Sequence, residues 1–96
     1  MNFQELCNFA LTHWGLDAQL DCMVEECGEF IAARNHWRRG RTGYTPMLEE
    51  IADVAVFCDE MELYFPEIKA IKEQKIQRLI DKIQANLPAK EEAQNL

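Results

Sequence analysis

Acidic residues recur at a spacing suited to holding a cation. Glu26 and Glu29 stand three apart in "EECGE", and Glu50 and Asp53 stand three apart in "EEIAD". On a helix, residues three apart share a face. Each pair therefore offers its carboxylates to one point. Hard cations such as Mg²⁺ or Mn²⁺ take carboxylate oxygens and keep waters that a phosphate can replace. Two such pairs on antiparallel helices can face each other as a four-carboxylate cluster. Glu25 and Glu49 each precede a pair by one residue. Either is a candidate general base or further ligand, and a surface ion pair is the competing reading for each.

Spacing alone does not separate a metal site from a solvated acidic face, because Asp59 and Glu62 share it. The neighbours separate them. Ala18, Cys22, Phe30 and Ala33 surround the first pair along its helix, and Val54, Phe57 and Met61 flank the second. A carboxylate buried among such residues is costly unless something compensates it, and nearby like charges add to the cost. Basic side chains or a metal must supply that compensation.

Four helical segments must position these groups. Apolar residues at helical spacing predict a helix over 3–13, with Gly15 as its stop. Asp17 is the expected N-cap of a long second helix over 17–39. Thr45 and Pro46 are the expected cap and first turn of a third helix over 46–65. Pro66 breaks that helix and opens a fourth over 66–87, which Pro88 ends. The short connections predict an all-α fold, an antiparallel four-helix bundle spanning 1–87, followed by a flexible polar tail at 88–96. On the second helix the main apolar stripe is Leu20, Met23, Val24, Cys27 and Ile31, with Glu26 and Glu29 pointing away from its centre. A helix apolar on two faces is buried on two faces. The second surface is therefore expected to pack against another subunit.

The chain of 96 residues carries a net charge of −7. That sign argues against general binding to nucleic-acid backbones. No apolar run is long enough to span a bilayer, and "MNFQELCNF" lacks the features of a signal peptide. Cys7, Cys22, Cys27 and Cys58 form no CxxC pair, and three of them sit among apolar residues. They read as reduced, buried thiols of a cytoplasmic protein. Basic residues cluster in two places. Lys72, Lys75, Arg78 and Lys82 share one face of the fourth helix, and Arg38, Arg39 and Arg41 lie at the loop that follows the second helix. Each cluster is either a phosphate-binding set or a solvated basic stripe.

"EECGE" followed about twenty residues later by "EEIAD" resembles the ExxE…ExxD signature of the MazG-type nucleotide pyrophosphohydrolases, the all-α NTP pyrophosphatases. The resemblance covers about residues 15 to 85 and includes Gly28, Ala52 and the apolar run after Asp53. It implies a MazG-like bundle that assembles as a homodimer or as a dimer of dimers, a homotetramer. It implies hydrolysis of nucleoside triphosphates between the α and β phosphates, giving a monophosphate and pyrophosphate in nucleotide-pool house-cleaning. It assigns Glu26, Glu29, Glu50 and Asp53 as ligands of Mg²⁺, with Mn²⁺ as a substitute. Metals would neutralise the triphosphate and activate the attacking water. Lys72, Lys75, Arg78 and Arg38 are then the candidate phosphate contacts. Trp37, His36, Trp14 and Phe57 are the candidate partners of the base, with plain core packing as the competing reading for each aromatic ring. Cys22 stands where many relatives have a lysine. A phosphoribosyl-ATP pyrophosphohydrolase shares the implied fold and reaction type. A non-catalytic helical interaction protein would keep the bundle and bind no metal.

Overall fold

The computed structural model describes residues 1–87, and no strand occurs among them. There are four helices: α1 (Phe3–Trp14), α2 (Leu16–Arg38), α3 (Thr45–Tyr64) and α4 (Glu67–Asn86). The chain divides into one unit over Met1–Tyr64, which holds α1 to α3, and a second that begins at Phe65 and holds α4. The tail expected at 88–96 lies outside the described residues.

Local chemistry sets the ends of the helices. Asn2 caps α1, its Oδ1 accepting the Glu5 backbone N–H at 2.8 Å. Gly15 ends α1 with φ 87° and ψ 162°, a region essentially reserved for glycine. Its N–H reaches the Leu11 carbonyl at 3.1 Å, and α2 begins at the very next residue. This turn leaves no residue over for a side-chain cap. Asp17, expected as the N-cap, instead sits inside the first turn of α2, where its charge favours the helix dipole. Thr45 is likewise the first residue of α3 and not its cap.

At the other end of α2, Gly40 adopts φ 72° and the Arg41 N–H bonds the His36 carbonyl at 2.9 Å. The Trp37 and Tyr44 rings, 6.1 Å apart, close the loop. This short connection brings α3 back antiparallel to α2, and these two helices form the main interhelical contact of the unit.

The small side chains of Cys7 and Ala10 are the buried face of α1, and they let it approach both neighbours. Tyr64 ties α3 to α1: its hydroxyl lies 2.6 Å from the Cys7 carbonyl oxygen and 2.6 Å from Glu60 Oε2. Burial, then the hydrogen bond and charge of Glu60, hold the Tyr64 phenol well above its ordinary range. Burial and the Glu60 charge also push the Cys7 thiol up.

The inward faces of α2 and α3 differ from the sequence expectation. On α2 the buried and half-buried positions are Leu16, Ala18, Gln19, Met23, Glu26, Cys27, Phe30 and Ala33. On α3 they include Met47, Glu50, Val54, Phe57, Met61 and Tyr64. The glutamate-bearing face of α2 is thus the one turned inward. Val24 is 69% exposed and Ile31 58% exposed, with Leu20 beside them. The physical reason lies on α3, where Glu50 sits within the apolar stripe. Packing that stripe inward brings Glu26 with it.

The buried hydrophobic residues among those described are Cys7, Ala10 and Met61. Cys22 and Cys58 are exposed and Cys27 is half-buried, so burial of the thiols holds for Cys7 alone; all four cysteines are free. Helix α4 has no buried residue. No helix among the described residues is long and apolar enough to cross a membrane.

Candidate metal centre

Glu26 and Glu29, one turn apart on α2, converge with Glu50 of α3. One carboxylate oxygen from each lies within 4.8 Å of the others. The inward turn of α2 is what brings them together. Glu26 and Glu50 are half-buried, while Glu29 is exposed at the rim. Glu26 Oε2 and Glu50 Oε2 are buried and have no hydrogen-bond partner. Buried polar atoms are almost always satisfied, so two orphaned acceptors at one point require explanation.

The electrostatics agree. Glu26 is pushed up to about 7. Burial is the first cause, followed by proton sharing with Glu29 and Glu50 and by the charges of Glu29 and Asp53. Glu50 is also raised. Burial again leads; proton sharing with Glu26 pulls it down, and Glu29 and the Asp53 charge push it up. Asp53 is exposed and stands outside the group of converging oxygens, but its field acts on both buried glutamates. A divalent cation would relieve this repulsion and satisfy the orphaned oxygens. The donor set is all carboxylate, which fits Mg²⁺ or Mn²⁺ rather than a softer metal.

No protein-family model, curated protein or solved structure matches this chain.

The remaining candidates are spread over both units. Glu25 and Glu49 are exposed, each one residue before a cluster member. Phe57 is half-buried on the inward face of α3, as a packing residue would be. Trp37 packs on Tyr44 at the tip of α2, with the Arg34 guanidinium 5.7 Å from its ring centroid. His36 and Arg38 are exposed beside it. Lys72, Lys75 and Arg78 are exposed on α4 within the second unit.

Trp14, a sequence candidate for the base, shares a hollow with Gln19, which is not one. Trp14, Ala18, Gln19 and Cys22 line this hollow of about 490 Å³. Trp14 meets Phe9 edge-to-face at 5.7 Å. Gln19 is 8% exposed, and its side chain has no hydrogen bond to the described residues. Its register with Glu26, two turns on along the same face, was the available signal.

Proposed function

We propose that this chain is a Mg²⁺-dependent nucleoside triphosphate pyrophosphohydrolase, cleaving between the α and β phosphates to a monophosphate and pyrophosphate. The observation that carries the reading is the convergence of Glu26, Glu29 and Glu50, with Glu26 Oε2 and Glu50 Oε2 buried and unpartnered. A solvated acidic face would not bury those oxygens. Glu26, Glu29 and Glu50 would hold the metal, and Asp53 would complete the set from the next turn of α3. Bound Mg²⁺ would supply charge neutralisation at the phosphates and a more acidic water.

The chain's own groups account for the rest. Glu25 and Glu49, exposed and each one residue before a cluster member, are the candidate bases for the attacking water. Within the same unit as the carboxylates, exposed Arg38 is the candidate phosphate contact. Because so few hydrophobic side chains are buried, the unit gains from association. The exposed Leu20, Val24 and Ile31 face of α2 would be covered by a second copy in a homodimer or homotetramer. Four free thiols suit the reducing cytoplasm.

Thermal melting with and without Mg²⁺ tests the site. At one hundred times its dissociation constant the ion should stabilise the native state by about 2.7 kcal/mol. The double variant Glu26→Gln, Glu50→Gln should show no Mg²⁺-dependent gain. An equal gain in parent and variant would place the ion elsewhere.

A further inference from the structure

We propose that Gln19 reads the nucleobase of the substrate, in the hollow at the α1–α2 turn. The inference rests on the nucleotide reading above and adds the group that selects the base. Gln19 is more than nine-tenths buried, yet its carboxamide has no hydrogen bond to the described residues. Its atoms are also absent from the fully enclosed orphans of the fold. The amide therefore opens onto the hollow that it lines with Trp14, Ala18 and Cys22. In the open hollow this amide meets water, and a ligand edge that pairs with it can take that water's place.

A carboxamide offers a donor beside an acceptor. It matches a flat heterocycle that presents the complementary pair on one edge, as nucleobases do. The other walls suit the same occupant. The Trp14 indole is a stacking surface, and Ala18 is small enough to leave room for a ring. Gly15 creates this arrangement, because its positive-φ turn places Trp14 against the first turn of α2.

Position along α2 links the hollow to the carboxylates. Cys22 lies one turn before Glu26, an axial rise of about 6 Å. Gln19 lies two turns before it, on the same face. A nucleotide laid along α2 would have its base at Gln19, its sugar over Cys22 and its phosphates at the carboxylates.

The test uses nucleosides, which carry no phosphate and need no metal. Adenosine, guanosine, cytidine and uridine are titrated into ¹⁵N-labelled full-length protein without Mg²⁺. The Trp14 indole N–H and the Gln19 side-chain amide signals are followed. The expected result is that one nucleoside shifts both signals at lower concentration than the others. Gln19→Leu should lose that preference by about five- to a hundredfold. Gln19→Glu is the second variant, of similar size and retaining only the acceptor. It sets a carboxylate oxygen against the acceptor of the base, so it should weaken any base that pairs with both groups of the carboxamide.

Nucleosides that leave both signals unmoved overturn the proposal, as does a parent ranking preserved in both variants. Shifts of the Trp14 signal with protein concentration alone would assign the hollow to a second copy and overturn it too. The outcomes stay separable from the enzymatic reading. Absence of hydrolysis does not affect nucleoside binding, whereas triphosphate turnover with the ranking unchanged in both variants removes Gln19 and leaves the hydrolase.

Discussion

Metal affinity at the carboxylate cluster should depend steeply on pH. Glu26 sits at about 7, and Glu50 is raised as well. Mg²⁺ binds the ionised forms, so a proton must leave before or as the ion enters. For one group titrating at about 7, the competition factor is about 11 at pH 6 and about 1.1 at pH 8, so the apparent affinity should rise about tenfold between them. Proton release on binding should fall from about 0.9 to about 0.1 over the same range. Any deprotonation required of Glu50 steepens both trends.

The sign for stability runs the other way. A carboxyl raised in the folded state contributes stability below its ordinary value of 4.5, and that contribution is lost as the pH rises through about 7. The metal-free protein should therefore melt at a lower temperature at pH 8 than at pH 5, as far as this cluster decides, and Mg²⁺ should restore the difference. Titration calorimetry in two buffers of different ionisation enthalpy measures affinity and proton release together. An affinity unchanged between about pH 6 and pH 8, with no proton released, would refute the assignment of Glu26 as a ligand raised by burial.

Other perturbations have equally definite outcomes. Glu29→Gln or Asp53→Asn should abolish turnover while the helices stay folded, as circular dichroism and product assays would show; activity equal to the parent would remove the residue from the ligand set. Gly15→Ala forces a side chain into a backbone region costing of order 1–3 kcal/mol, and for a domain this small each kcal/mol lowers Tm by about 4–8 °C. Tyr64→Phe removes the hydroxyl that faces Cys7 and Glu60 and should cost about 1.5–3 kcal/mol in a urea melt. Val24→Asp and Ile31→Asp should shift sedimentation toward the monomer, because both positions lie on the exposed apolar face of α2.

Element boundaries were legible because local rules set them. Gly15, Gly40, Pro46 and Pro66 each impose a backbone state whatever the tertiary context, and the helices end within a residue or two of those marks. The pairing of Glu26 and Glu29 with Glu50 was legible from spacing and apolar neighbours. The inward face of α2 was not. Its apolar residues occupy more than one face: of the stripe Leu20, Met23, Val24, Cys27 and Ile31, Met23 and Cys27 are half-buried and the other three are exposed. Only the placement of Glu50 within the α3 stripe decides between those faces, and this is a relation between helices rather than a property of either one. Gln19 escaped for a similar reason. A lone glutamine on a helix looks like a neutral surface residue, and its significance comes from its burial beside the hollow it lines with Trp14, next to a turn whose geometry depends on one glycine.

The most direct test of the central claim is a product assay. The purified chain is incubated with each common ribo- and deoxyribonucleoside triphosphate in the presence of Mg²⁺, and the products are separated. The account predicts a nucleoside monophosphate together with intact pyrophosphate, from at least one triphosphate, and loss of both products in the Glu26→Gln, Glu50→Gln variant. A diphosphate with free phosphate, or no product from any triphosphate, would contradict it.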